Sequence, residues 1–350
     1  YFLKDRLVFN NNGTNHSLNC VFKVIKINFN SITLFLRTNM KKIIKEKDKF
    51  DMLFDKVIEL TQQKEFAKAL EIATQLIHQK QHQKEDLQSA KLNEAIGDIY
   101  TQLKDHQPAL DYLQKALKYY SEHKEFHLML EQYKKIGTLQ VGIFQFKKAI
   151  DLFQQGLSLA IRIGNMDKIV EFEFMLGNAY NWADNLEDAE KYLLSAISKA
   201  KQHLDPVLKV RTTASYAILL RKMKKYDEAE KYFKLSLKLS TENNYLHYQE
   251  TRRSYGIMFY FTGNFTKAEE MLLEAEKNTD IETSLVVIYE YLAAIYEDLK
   301  NFEKSTYYYK KFFETKFNLL ERGFSEDNNI TQAKIGLEDA RRERIIAEET

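Results

Sequence analysis

Residues 176–197 read LGNAYNWADNLEDAEKYLLSAI. Gly177 is followed three positions on by Tyr180 and twelve positions on by Ala189, with Ala196 seven further along. The pattern recurs. The place of Gly177 is taken in turn by Gly97, Gly137, Gly177, Ala217, Gly256 and Ala293, at successive separations of 40, 40, 40, 39 and 37 residues. Val57 holds the same place in a more degenerate copy. The large residue three positions on is Leu60, Tyr100, Gln140, Tyr180, Leu220, Phe259 and Tyr296. The small residue twelve positions on is Ala69, Ala109, Ala149, Ala189, Ala229, Ala268 and Ser305. Self-similarity at a fixed period of this order is the sequence mark of a solenoid.

One copy reads as two helices and a tight turn. In the copy around Gly177 the spacing predicts helix A over about 168–183, a turn at Asp184-Asn185 and helix B over about 187–201. A small residue on A lets B approach closely, and the Ala on B is expected to meet that spot from the other side. Tyr180 fills the gap above, and Leu193 and Ala196 are expected to face the next unit. Neither helix hides its apolar stripe alone, so each unit buries it against its neighbours. The pairs Lys104-Asp105, Asp184-Asn185, Lys224-Lys225, Gly263-Asn264 and Lys300-Asn301 each precede a helix B. Pro108 falls in the first turn of its helix, where a missing N–H costs little.

Composition agrees with an all-α chain. Of 350 residues only 2 are Pro and 11 are Gly, while 29% are charged. The 52 basic and 50 acidic residues nearly cancel, and a general nucleic-acid binder needs a positive excess. The single Cys20 excludes an intrachain disulfide framework and a cysteine-built zinc site. No run of about 18 uncharged apolar residues exists, so no transmembrane helix is expected. Residues 1–39 lack helical periodicity, and SITLFL at 31–36 is too short for a signal-peptide core. They read as an irregular leader, non-native or translated from upstream, with helical character starting at Met40. The repeats are then expected over 40–313, and a capping helix plus a charged helix over 314–350.

The order Gly or Ala, aromatic, Ala, aromatic or Leu, Ala resembles the tetratricopeptide repeat, across about residues 50–313. The usual period is 34 residues; the longer period here resembles the long-helix subclass found in kinesin light chains, Rap-type peptide-responsive regulators and the sensory halves of bacterial signalling proteins. The resemblance implies a right-handed α-solenoid of about seven repeats, with A helices lining a concave groove that takes a protein or peptide. Carried over by position, the groove residues are Asn178, Asn181 and Trp182 in one unit, Arg211 and Arg221 in the next, and Arg253, Tyr260 and Phe261 in the one after. Asn178 directly follows the anchor, where an amide offers a peptide backbone both a donor and an acceptor. Its equivalents Asp98, Thr138, Ile218, Ile257 and Ala294 form no ladder of amides. The arginines suggest a basic strip for an acidic segment or a C-terminal carboxylate, and paired with nearby glutamates they would be only a solvated face. Trp182, the only tryptophan, fits a binding anchor or an inter-repeat cap.

No phosphate-cradling or dinucleotide glycine loop and no HExxH or calcium-loop spacing is present. His78 and His82 lie four apart with no third ligand at a fixed offset. The expectation is a chain that is not an enzyme, with no metal and no cofactor. After SEDNN, Ile330, Ala333, Leu337 and Ala340 keep a three-four spacing too short for a firm coiled coil. A charged helix behind such repeats resembles the front of a sensor protein whose output domain lies past Thr350. The expected role is thus a protein-binding scaffold, in the cytoplasm, without nucleic-acid or membrane partners. A homodimer through the terminal helix is the oligomeric alternative, and a free-standing adaptor or a Rap-type regulator the functional ones.

Overall fold

The structure is a computed structural model, and it describes residues 49–80, 86–200, 206–242 and 248–323. The expected leader 1–39, Cys20, His82 and the helix at 330–350 lie outside these residues. The chain divides into two compact units, Tyr1–Glu59 and Leu60–Thr350. In the described part of the first, the rings of Phe50 and Phe54 stack at 6.0 Å.

The second unit is built from helices, with no strand among the described residues. Helix α1 covers 49–62. It is followed by α2 (Phe66–Lys80), α3 (Leu87–Gln102), α4 (His106–Glu122), α5 (Phe126–Gly142), α6 (Phe146–Arg162) and α7 (Met166–Trp182). Then come α8 (Leu186–Ala200), α9 (Pro206–Lys222), α10 (Tyr226–Glu242), α11 (Tyr248–Phe261), α12 (Phe265–Lys277), α13 (Glu282–Asp298) and, at 302–323, α14. The odd-numbered helices from α3 to α13 carry the anchor residues and are the A helices. The even-numbered ones from α4 to α14 are the B helices.

The turn from A to B is the same structure each time. Lys104, Phe144, Asp184, Lys224, Gly263 and Lys300 all have a left-handed φ between 56° and 72°. The next residue sends its N–H back to a carbonyl five positions earlier: Asp105 to Tyr100 at 2.9 Å, Asn185 to Tyr180 at 2.9 Å and Asn301 to Tyr296 at 2.8 Å. That bond satisfies a carbonyl the helix end would otherwise orphan. In three units the same residue also caps the B helix with its side chain, which Asp105 and Gln145 do not. Asn185, Asn264 and Asn301 accept from the N–H groups of Asp188, Lys267 and Lys304 at 3.2–3.3 Å.

The anchor glycines face a B-helix residue sixteen positions on. A Cβ placed on Gly177 would lie 2.5 Å from Leu193 Cγ, one on Gly97 2.7 Å from Leu113 Cγ and one on Gly256 2.9 Å from Leu272 Cγ. Leu193 therefore lies over Gly177 inside its own unit, rather than pointing only to the next one as the spacing suggested. The contact between units is made one turn further along. There Gly156 on α6 faces the ring of Phe172 on α7, and Ser236 on α10 meets Thr251 on α11 at 3.4 Å. Phe172, Phe153, Leu193 and Phe233 are all essentially shut off from water, each contributing about 1.5–3 kcal/mol of burial.

Consecutive A helices also touch each other: α5 with α7, α7 with α9, α9 with α11 and α11 with α13. From α4 to α12, consecutive B helices do not approach each other as closely, while Lys311 on α14 reaches Glu276 on α12 at 2.9 Å. The A helices thus form the inner, more closely packed layer, and the side chains they leave free line one continuous face.

Candidate partner-binding face

The first half of the A-helix face neutralises itself. Lys135 on α5 reaches back to α3, donating to Glu94 at 2.7 Å and Asp98 at 2.6 Å. Glu94 also accepts from the Tyr120 hydroxyl at 2.8 Å. Lys168 on α7 pairs with Glu131 on α5 and with Glu171 at 2.6 Å, and Lys134 closes on Glu171 at 2.5 Å. Burial pushes the Glu171 carboxyl up, yet the hydrogen bonds from Lys134 and Lys168 outweigh it and hold the carboxyl below its ordinary 4.5. Asp98 goes the other way, because burial outweighs Lys135 there and raises it. A depressed folded pKa gives stability that is present above the unfolded value and lost as pH falls through the folded one. Glu171→Gln is therefore expected to lower the urea midpoint at neutral pH and to match the parent in acid, a convergence read by urea titrations across the acid range. A gap between the two proteins that stays constant with pH would contradict it.

The second half differs. Arg211, exposed on α9, lies over the Phe174 ring of α7 at 4.8 Å. Arg253 on α11 donates from Nη1 to Ser284 Oγ on α13 at 2.7 Å, and burial lowers its pKa against the pull of Glu250. Arg221 ends α9, half-buried, with its guanidinium 5.7 Å from the centre of the Phe261 ring on α11. Its Nε is closed to solvent and has no hydrogen-bond partner. Burial lowers its pKa, and the charges that oppose the shift come from Tyr291 and Tyr226, not from a carboxylate.

Around it the rings close up. Tyr260 lies 5.4 Å from Tyr291, 5.6 Å from Phe261 and 5.9 Å from Phe265, and Phe261 lies 6.1 Å from Tyr291. Burial raises the Tyr260 hydroxyl, and Asp298 beside it adds to the shift. Phe261 remains 51% exposed.

The three expected arginines do not make one strip. Arg211 stands six residues before its anchor, Arg253 three before and Arg221 four after. Ten residues of helix separate the extremes by roughly 15 Å of rise. Asn181 on α7 occupies the same place relative to its anchor as Arg221 does on α9. It is buried, its carbonyl accepts from Lys222 Nζ at 2.7 Å, and its Oδ1 has no partner. Trp182 follows it, 54% exposed, so it does not serve as a buried cap. Asn178 is half-buried. The structure therefore gathers Arg221 and Tyr260 with Phe261, and adds Tyr291 and Tyr226. Tyr226 stands where other B helices open on Phe66, Phe146, Phe265 and Phe302, so a recurring pattern marks it, whereas no other repeat has an aromatic residue at the place of Tyr291.

A separate cleft of about 1070 Å³ lies among α4, α5 and α6, lined by Phe126, Met129, Tyr133, Asp151 and Arg162. Arg162 there lies over the Phe126 ring at 5.0 Å. This cleft does not involve the A-helix residues that carry the unpartnered polar atoms.

The family model of the tetratricopeptide repeat matches residues 209–279, and that of soluble NSF attachment protein, SNAP, matches 21–161. Among solved structures, the apo form of RapI is similar with a TM-score of 0.62 at 16% identity, over 78% of this chain and 99% of that one. A Rap protein complexed with Competence and Sporulation Factor gives 0.55 at 16%, over 78% and 76%. A signal transduction ATPase with numerous domains and a tetratricopeptide repeat sensor, from Pyrococcus horikoshii, gives 0.61 at 17%, over 77% of this chain and 43% of that one. Identities this low establish a shared fold. The chain is an α-solenoid of tetratricopeptide-type repeats.

Proposed function

We propose that the A-helix face from α7 to α13 binds a protein or peptide segment, and that the chain is the interaction module of a signalling system. The observation that carries this is the contrast along the face. Its first half pairs its own charges, while in its second half Arg211, Arg221 and Arg253 form no ion pair with a carboxylate among the described residues, and the Phe261 ring beside Arg221 stands half in solvent. Partner-binding surfaces favour such aromatic and arginine anchors. The signalling assignment is supported by the kind of proteins that share the fold: a Rap protein complexed with Competence and Sporulation Factor, and a signal transduction ATPase with a tetratricopeptide repeat sensor. No chemistry of bond making is assigned to the chain.

Trp182 is the natural reporter, being the only tryptophan and standing in solvent at one end of this face. Peptides selected on the whole chain from a random displayed library are expected to change its emission on titration. Reversing charge at both Arg211 and Arg221 is expected to weaken them. Selected peptides that leave Trp182 unmoved, and bind the double reversal as they bind the parent, would place the surface elsewhere.

A further inference from the structure

We infer that the cleft among α4, α5 and α6 binds a small amphiphilic monoanion, a free molecule with one carboxylate head and an apolar chain. The site is separate from the A-helix face and does not rest on that face binding anything. Met129 and Tyr133 line the cleft from the side of α5 turned away from Glu131 and Lys135, which stand on the A-helix face.

The cleft opens where a cross-brace is missing. In three other units the side chain four places before the anchor meets the B-helix side chain six places after the small residue. Glu173 accepts from Ser195 Oγ at 2.9 Å and pairs with Lys199 as well. Arg252 pairs with Glu274, and Lys311 Nζ lies 5.0 Å from the centre of the Tyr289 ring. The same places on α5 and α6 hold Tyr133 and Gln155, which form no hydrogen bond with each other and line the cleft instead. Its volume of about 1070 Å³ is ample for a small ligand.

The lining divides by chemistry. Met129 and Leu159 are buried, and with Phe126 and Ile163 they make an apolar floor. Lys124 and Arg162 stand exposed beside it and form no ion pair among the described residues. Arg162 lies over the Phe126 ring at 5.0 Å, and its charge draws down a Tyr133 pKa that burial raises. Guanidinium, phenol and apolar floor therefore converge on one place. Asp151 is the one acid in the lining, which leaves an excess of about one positive charge for a monoanion to cancel. The planar fork of Arg162 suits a carboxylate, the Tyr133 hydroxyl can donate a further bond, and a hydrocarbon chain covers the floor.

The occupant is a free molecule because the walls are short. A groove that seats a partner helix needs walls long enough for anchors at i, i+3 or i+4 and i+7. Here α4 ends beside the cleft, and Ser121 is the one residue of that helix in the lining.

The probe is dodecanoate, kept below its micelle concentration and titrated into the whole chain by calorimetry. One saturable site is expected. Dodecanol has the same chain without the charge and should bind roughly 10-fold weaker. Arg162→Ala should weaken dodecanoate by a similar factor and leave dodecanol unchanged. The second arm closes the cleft. Tyr133→Glu, Gln155→Ser and Leu159→Lys together copy the brace of α7 and α8 and should abolish the site. Because those residues already coexist in a neighbouring repeat, the triple variant is expected to melt as one folded array, which circular dichroism checks. Arg221→Ala, on the A-helix face, should bind dodecanoate like the parent.

No saturable dodecanoate binding would overturn the inference. So would dodecanol binding as tightly as dodecanoate, or parent affinity in the closed variant, which would put the ligand elsewhere on the chain. If dodecanoate is silent while closing the cleft weakens peptides selected on the whole chain, the cleft takes a partner segment and the inference is wrong. Arg162 is exposed, so its variant keeps the test decisive even if the triple variant misfolds. The A-helix reading stands or falls separately, on its own titration through Trp182.

Discussion

Phe172→Ala is expected to destabilise the array by about 3–5 kcal/mol, the cost of emptying a large aromatic site in a packed interior. Phe172 is fully buried on α7, and its ring faces Gly156 on α6. That makes it a contact between two repeats rather than within one. In a solenoid, stability is close to a sum of unit terms and nearest-neighbour terms. The loss is therefore expected to fall on the α6–α7 junction. Hydrogen exchange should show helices on both sides of it opening earlier, with α12 and α13 little changed. A loss spread evenly over all helices would contradict the nearest-neighbour reading. The pair also makes a prediction about coupling. The three atoms nearest a Cβ on Gly156 are all ring atoms of Phe172. Gly156→Ala should be costly alone and harmless or favourable beside Phe172→Ala, where the methyl fills vacated space and alanine is the better helix former by about 1 kcal/mol. A double-mutant cycle is expected to return a coupling of about 1–2 kcal/mol.

The parts of this architecture that depend on one repeating contact were legible in the sequence. The small anchor at Gly97, Gly137, Gly177 and Gly256 recurs because each must admit a side chain sixteen residues on. The turn at Asp184-Asn185 recurs because one residue must go left-handed and the next must turn its N–H back to the helix the chain is leaving. Which side chain meets the anchor was not legible. Ala189 and Leu193 are both apolar B-helix positions within reach of the same spot, and only the interhelical angle decides between them. The face was half legible for the same reason. Arg211, Arg221 and Arg253 share the A helices, so the sequence grouped them; the rise of the helix separates them. Tyr291 belongs to the site through its distance to Tyr260 and Phe261, and its counterparts Ala95, Lys135, Met175, Ser215 and Ser254 carry no common signal. A solenoid repeats what holds it together. It need not repeat what it binds.

Gly177→Val is the substitution that tests the fold where it bears on the site, with an expected cost of about 3 kcal/mol. A Cβ there would stand 2.5 Å from Leu193 Cγ and 2.8 Å from its Cδ2, and also 3.2 Å from its backbone N. The first two contacts can be relieved by moving a side chain. The third cannot, because it fixes how closely α7 and α8 lie. Gly177→Ala is a contest between crowding of about 1–3 kcal/mol and a helix-propensity gain of about 1 kcal/mol. Ala217 and Ala293 show that a methyl is accommodated at the equivalent place in other units. Valine adds two branches and loses the propensity gain. Relief by Leu193→Ala should therefore be partial, unlike the fuller relief expected between Gly156 and Phe172, where the three nearest atoms all belong to the ring. Denaturant titration of the two cycles side by side distinguishes them; equal relief in both would mean α8 moves freely against α7. A wedge between α7 and α8 also turns α7 against α9, where Asn181 and Arg221 stand on neighbouring helices. Gly177→Val is accordingly expected to weaken any peptide that Trp182 reports, even in the fraction that stays folded. A folded variant with parent affinity would show that the face does not depend on the spacing its anchors set.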